Sequence, residues 1–430
     1  MLSNLFRLGE NQTNVKIEVM AGLTTFLTMS YIIFINPAIL SETGMDKGAV
    51  FVATCLAASL GCFLMGLLAN YPIALAPGMA LNTYFTYSVV LGSGHSWQIA
   101  LGAVFLSGLI FLLLSVFPIR EYIINSIPKS LKVAIVAGIG LFLGMIGFKS
   151  AQIITGSPAT LVKLGNLHQP SALLAIFGFF LIIGLEALGV MASILISILS
   201  VTFISVALGY NQFQGLISMP PSLAPTLLQL DLGGAFQLGI AAIVFAFLFV
   251  DLFDNTGTLI GIAYKAGLMD KQGKLPRIGR VLIADSLAAI FSALLGTSTT
   301  TSYLESTVGV KVGGRTGLMS IIVGILFLLA LFLSPLARSI PIYATAPALV
   351  YVACLMAHAF TDIEWNDPTE YAPAVITAIT MPLAFSIADG IAFGFITYTF
   401  AKLLSGRIRE LNITIILLTA AFLLKYALLQ

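Results

Sequence analysis

The sequence predicts an all-α polytopic membrane protein with fourteen transmembrane spans, on three observations. Hydrophobic residues make up 59% of the 430 and charged residues only 9%, with a mean hydropathy of +1.04. Apolar runs of the roughly 17–25 residues that cross a bilayer recur along the chain. Two of those runs are interrupted by polar or helix-breaking residues, at corresponding places in the two halves.

In order, the runs cover 17–40, 49–69, 71–91, 97–117, 131–148, 171–187, 189–209, 235–257, 279–295, 298–312, 317–335, 343–361, 371–387 and 388–405, with a further apolar stretch at 411–429. The first run is too long for a signal-peptide core and lacks a small-residue cleavage site, so it belongs to the mature protein. Cys55, Cys62 and Cys354 all fall inside spans and read as small buried hydrophobes, with no disulfide or metal role. Gly138, Gly140, Gly144 and Gly147 read as helix packing. His95, His168 and His358 fall near span ends or in loops. Asp362, Glu364, Asp367 and Glu370 read as a solvated loop.

With the N-terminus placed in the cytoplasm, fifteen Lys and Arg residues fall in cytoplasmic segments. Four fall on the other side: Lys47, Lys149, Lys163 and Arg338. That asymmetry follows the positive-inside rule. Lys265 to Arg280 is then a cytoplasmic loop. An offset of 223 aligns Asn82 with Glu305, Tyr31 with Asp254, and Pro118 with Pro341. The broken spans are the third and the tenth, each third in a set of seven. Seven is odd, so the second set enters the membrane from the opposite face. Inverted repeats with broken helices at corresponding positions mark a secondary transporter.

The first broken span reads Tyr71-Pro-Ile-Ala-Leu-Ala76-Pro77-Gly78-Met-Ala-Leu-Asn82. Its prolines and glycine oppose a continuous helix and predict a short strand to about Ala76, then a half-helix. The second reads Gly296-Thr-Ser-Thr-Thr300-Thr-Ser302-Tyr-Leu-Glu305. β-Branched Thr299, Thr300 and Thr301 favour extended backbone. Ser302 is the expected N-cap, and Ser302 with Glu305 forms a capping-box pattern, so Glu305 has a structural reading beside a ligand reading.

Asp251 and Asp254 are i, i+3 on one predicted helix and share a face. A charged carboxylate at mid-membrane costs about 2.5–3.5 kcal/mol, so protonation or polar partners are expected for both. Asp285 is a fourth acid within a span, competing with a reading as a structural acceptor. No Lys or Arg lies deep in a span. An acidic core suits a neutral polar solute rich in N–H donors. A carboxylate whose ionisation is shifted by burial can carry a proton. Asp254, Glu305 and Asp285 are the proton-coupling candidates.

At these residues the chain resembles the AzgA-like purine permeases of the nucleobase–cation symporter family. The strings that carry the resemblance are Ala21-Gly-Leu-Thr-Thr-Phe-Leu-Thr-Met, Asn70-Tyr-Pro-Ile-Ala-Leu-Ala-Pro-Gly-Met, Val250-Asp-Leu-Phe-Asp, Gly296-Thr-Ser-Thr and Phe385-Ser-Ile-Ala-Asp-Gly-Ile. Asn255 and Thr256 after Asp254 depart from the family pattern. The resemblance implies the uracil-permease fold, with fourteen spans in two inverted seven-span repeats. It implies a core domain from 1–117 and 235–335, and a gate domain from 118–209 and 343–430. It implies import of adenine, guanine, hypoxanthine or xanthine by proton symport, with elevator-like alternating access in a bacterial cytoplasmic (inner) membrane.

The span-8 acid of the family maps onto Asp251 or Asp254, its span-10 glutamate onto Glu305 and its span-3 asparagine onto Asn82. Gly78, Ala76, Thr300, Ser302 and Tyr31 complete the expected substrate site. The expected partners are the purine, the proton and the bilayer. No nucleic acid or cofactor is expected, and a homodimer is allowed. The alternative is an anion or other solute transporter of the same fold, which would want a positive dipole site and no carboxylate at 305. A membrane enzyme would need a nucleophile–base or metal constellation, and no His-rich or Cys-rich cluster is present.

Overall fold

A computed structural model describes residues 2–116, 126–236, 238–265, 268 and 277–428. The side chains of 238–240, 242, 253, 254, 256, 257, 260, 261, 263–265 and 428 are excepted. Arg120, Lys271 and Lys274 lie outside the described residues, and so does the side chain of Asp254.

The first predicted span is two helices, α1 (Val15–Met29) and α2 (Ile32–Ser41), broken at Ser30 and Tyr31. Next come α3 (Lys47–Leu64), which continues as a π-helix to Ala69, and strand β1 (Leu75–Pro77). A half-helix α4 (Met79–Thr83) runs into a π-helical segment, Tyr84–Gly92, and α5 (Trp97–Val116) follows. The middle of the chain holds α6 (Lys129–Ser150), the hairpin β2–β3 (Ile154–Ser157 and Leu161–Leu164), α7 (Pro170–Ala187) and α8 (Ser193–Ala207). The second half opens with α9 (Leu238–Lys265), which continues eight residues past the end of its apolar run, and α10 (Ile278–Leu295). Strand β4 (Thr300–Ser302), α11 (Ser306–Val312) and α12 (Gly317–Ala330) follow. The last helices are α13 (Ile342–Ala357), α14 (Pro368–Leu383), α15 (Ile387–Leu404) and α16 (Ile413–Leu428). Among the described residues, nine helices are long and apolar enough to cross a membrane. The hairpin β2–β3 carries no strong sequence signal and was not expected.

The helices pack in two groups. α1–α5 and α9–α12 contact mainly one another, and α6–α8 with α13–α16 form the second group. In the second group α6 lies along α13 through the glycines singled out in the sequence. A Cβ on Gly140 or Gly147 would sit 3.2 or 3.1 Å from the carbonyl of Ala353 or Ala346. In the first group the backbones of Gly66 and Gly317 touch. A Cβ on Gly317 would fall 2.7 Å from the Cα of Gly66. α12 also begins on a buried carboxylate. Glu18, on α1, accepts the N–H groups of Arg315 and Met319 at 2.9 and 3.1 Å, and a negative charge is favoured at a helix N-terminus.

Polar clusters at the ends of the second group correct one expectation and join the C-terminal helix to the rest. The acidic loop is not simply solvated. Glu370 accepts from Ser130 and lies 2.6 Å from the Nζ of Lys402, which is fully buried and also 2.7 Å from Glu410. Arg407 bridges Asp367 and Glu410. The stretch 411–429 is a helix, α16, tied to α15 by Thr419 on Thr399 and by Lys425 on Asp389 at 2.8 Å. Of the cysteines, Cys55 and Cys62 are buried as expected, but Cys354 is exposed, because the residue of α13 that packs on the α6 glycines is its neighbour Ala353.

Two outcomes follow from this packing. Gly317→Ala should cost about 1–3 kcal/mol by overpacking. Gly184→Ala, whose added methyl meets nothing within 4 Å, should be neutral. Thermal unfolding in detergent separates them. The second outcome concerns acid. Asp367 and Glu410 are held below the ordinary carboxylate range, first by hydrogen bonds from Arg407. A depressed folded value means the cluster stabilises fully above the unfolded values, about pH 4, and loses that contribution as the pH falls through the folded ones. Arg407→Met should therefore move the acid-unfolding midpoint to higher pH.

Candidate functional site

β1 and β4 pair antiparallel, with Leu75 opposite Ser302, Ala76 opposite Thr301 and Pro77 opposite Thr300. These are the two predicted breaks, and each supplies the other with backbone partners. The Gly78 N–H donates to the Thr299 carbonyl at 3.0 Å and the Tyr303 N–H to the Ala74 carbonyl at 2.9 Å. Side chains satisfy the remainder of the extended run. The Ala74 N–H donates to Ser306 Oγ, the Ile73 N–H to Ser320 Oγ, and Ser320 Oγ donates to the Tyr71 or Ile73 carbonyl. The Tyr303 hydroxyl donates to the Pro77 carbonyl at 2.6 Å. Asn36 Nδ2 reaches both Thr54 and Thr297, which pins α2 and α3 to the second break. Gly296 ends α10 in the left-handed region, at φ 89°, with Thr226 packed directly over it.

A cavity of about 470 Å³ lies over this strand pair, between the two helix groups. From the first group Tyr31, Gly78, Thr301, Ser302, Glu305 and Thr258 line it. From the second group Val136, Leu143, Tyr351, Met356, Glu186 and His358 do. The exposed Glu186 and His358 sit at the ends of α7 and α13, and so mark the rim. No Lys or Arg borders the cavity among the described residues.

Glu305 is the N-cap residue of α11, and its carboxylate makes no capping bond. It accepts instead from the Tyr31 hydroxyl, which stands at the break between α1 and α2. The capping-box expectation is thus corrected. Ser302 is the last residue of β4, and its hydroxyl has no partner among the described residues. Pairing the strands leaves only three residues between β4 and α11, so the helix starts later than the capping pattern implied. The half-helix N-caps are Gly78 and Glu305, and Asn82 sits one turn inside α4.

The expected site residues separate into groups. Tyr31, Gly78, Ser302 and Glu305 meet at the cavity. Ala76 and Thr300 are buried within the strand pair. Asn82 is buried behind it, and accepts from the Ser298 hydroxyl. Asp251 is buried in α9 and does not border the cavity. Asp285 is buried in α10, where it accepts from Asn255. Asp254 lies on α9 one turn before the cavity-lining Thr258. Sequence reasoning missed Glu186. Nothing local in the sequence marks it, and the packing of α7 against α13 brings it to the rim.

Comparison with known proteins identifies the architecture. Residues 16–393 match the model described as the Permease family, Xan_ur_permease. Adenine permease AdeP of Escherichia coli (strain K12) is 48% identical over 425 residues, covering 99% of this chain and 96% of that protein. Guanine/hypoxanthine permease PbuG of Bacillus subtilis (strain 168) is 45% identical over 441 residues, covering the whole of both. Among solved structures, the transmembrane domain of the cyanobacterial bicarbonate transporter BicA matches with a TM-score of 0.64. It is 17% identical and covers 89% of this chain and 97% of that one, a likeness of fold alone.

Proposed function

We propose, from the premise that the chain belongs to the Permease family of integral membrane transporters, that it imports purine nucleobases by proton symport. The observation that carries the reading is the cavity over the strand pair, with the Glu305 carboxylate in its wall and no Lys or Arg around it. A purine base presents ring and exocyclic N–H donors. A carboxylate accepts them through strong charge-assisted hydrogen bonds. Tyr31, Thr301 and Ser302 supply further hydroxyls, and the apolar side chains of Val136, Leu143 and Met356 face the ring. The nucleobase permeases that resemble the chain over its whole length point to the same substrate class. An anion carrier, the reading that the bicarbonate transporter's fold would suggest, is disfavoured because an anion would face the Glu305 carboxylate.

The packing supports fourteen spans in two inverted repeats. When each span is exchanged with the one seven places on, the packing pairs map onto one another. α7 on α13 becomes α14 on α6, and α8 on α7 becomes α15 on α14. α5 on α10 becomes α12 on α3, and β1 on β4 maps onto itself. α16 follows as an addition after the fourteenth span. The group holding the strand pair is the core domain that carries the substrate, and the other is the gate domain. Sliding of core past gate gives elevator-like access. The positive-inside count puts the start of α6, and hence the cavity rim, in the cytoplasm, so this conformation is open inward. The setting is a bacterial cytoplasmic membrane.

Asp254 is the proposed coupling group. The helical spacing i, i+4 places it on the same face of the helix as Thr258. Asp251 supports it, and Asp285 is held by Asn255.

Glu305→Gln keeps the shape and loses a charge-assisted bond worth roughly 1.5–3 kcal/mol. Purine binding to the purified variant should weaken about tenfold or more, and parental affinity in a folded variant would sink the site. Uptake should collapse with a protonophore and ignore sodium. Asp254→Asn should still exchange labelled for unlabelled purine yet fail to accumulate it against a gradient. Full accumulation would transfer the coupling role to Glu305 or Asp285.

A further inference from the structure

On the side of the molecule away from the cavity rim, the two helix groups meet at a small cluster of named contacts. α6 provides the ruler. Val136 and Leu143 line the cavity, and Lys149 lies six residues beyond Leu143. The Lys149 ammonium sits 5.8 Å from the Tyr87 ring centroid and 5.5 Å from that of Phe385. Phe385 packs edge-on against both Phe142, at 5.5 Å, and Tyr87, at 6.4 Å. The Tyr87 hydroxyl donates to Glu42 at 2.8 Å, and the Ser88 hydroxyl donates to the Phe385 carbonyl at 3.0 Å. Tyr87, Ser88 and Glu42 belong to the group that holds the strand pair. Lys149, Phe142 and Phe385 belong to the other.

Two backbone features converge there. Phe385 has φ 52°, a left-handed conformation that bulky residues rarely adopt. The break between α14 and α15 would take a glycine more easily, and the phenylalanine delivers a ring to the opposite group instead. Tyr87 and Ser88 lie within the nine-residue π-helical segment Tyr84–Gly92, and π-helical insertions concentrate at functional sites. An observed outlier supports an inference toward function.

We infer that Lys149, Phe385 and Tyr87, with Ser88 and Glu42, form the latch that closes the face opposite the cavity, and that they must separate for that face to open. Lys149 binds one ring from each group at once, and its contact with Tyr87, like the edge-on contact of Phe385 with Tyr87, exists only while the groups are together. The hydrogen bond from Ser88 to Phe385 is of the same kind. These residues set which face is open without touching the substrate. The inference rests on the transport reading for its purpose but not for its geometry.

The test uses the full chain in membrane vesicles with Cys354→Ser, and Leu143→Cys as a reporter at the closed end of the cavity. An impermeant maleimide is applied to each face in turn. In the parent the reporter should react from the rim side only. Lys149→Gln and Phe385→Ala should raise the labelling rate from the latch side by about 5- to 30-fold, the population shift expected for loss of one or two such contacts. Lys149→Arg keeps a cation over the rings and should behave as the parent. Lys149 is exposed, so its variants do not threaten folding even if Phe385→Ala does. An unchanged latch-side rate in folded Lys149→Gln, or a rise in Lys149→Arg equal to that in Lys149→Gln, overturns the latch. The readout needs no purine. Labelling as expected in a protein that binds no purine would support the latch and defeat the substrate reading.

Discussion

The rest of the structure depends on one constraint: extended backbone in the middle of a membrane protein must find hydrogen-bond partners inside the protein. The chain breaks two helices there, over 71–78 and 296–305, and resolves both with one device. The two runs pair with each other as β1 and β4, and the hydroxyls of Ser306 and Ser320 take up the N–H groups left over. A third element, α2, is fastened to the pair through Asn36. None of these groups could be left unpaired without a penalty of about 1–3 kcal/mol each. The breaks therefore form a rigid unit.

That rigidity places Glu305. Because the pairing register leaves Tyr303 and Leu304 to turn the chain before α11 begins, the carboxylate emerges at the cavity wall instead of folding back on its own helix. Tyr31 reaches it only because the first span is itself broken, at Ser30 and Tyr31. Three interruptions in three apolar runs thus converge on one point, while the unbroken helices around them carry the packing. Glycines set the spacing of those helices. Gly66 against Gly317 closes the first group, and the α6 glycines against α13 close the second.

The second group holds its charges at its ends. Lys402, Glu370, Glu410 and Arg407 knit the α14, α15 and α6 termini on one side. Lys149 with Phe385 lies on the other. The apolar middle of the group faces the cavity through Val136, Leu143 and Met356.

The sequence by itself determined the membrane class, the helix positions to within a few residues in most cases, and both breaks. Those properties are carried by local composition: long apolar runs, prolines, and β-branched residues that resist helix. It also pointed to the glycine packing of α6, since small residues at helical spacing have few other uses in lipid. Only the tertiary structure decided the register of β1 on β4 and kept Asn82 and Thr300 out of the cavity wall. It also made Ser302 a strand residue instead of a cap, and gave Glu18 its partners at the start of α12. These outcomes depend on pairs of residues hundreds of positions apart, and composition and periodicity along one chain segment hold no information about which distant segment will meet it.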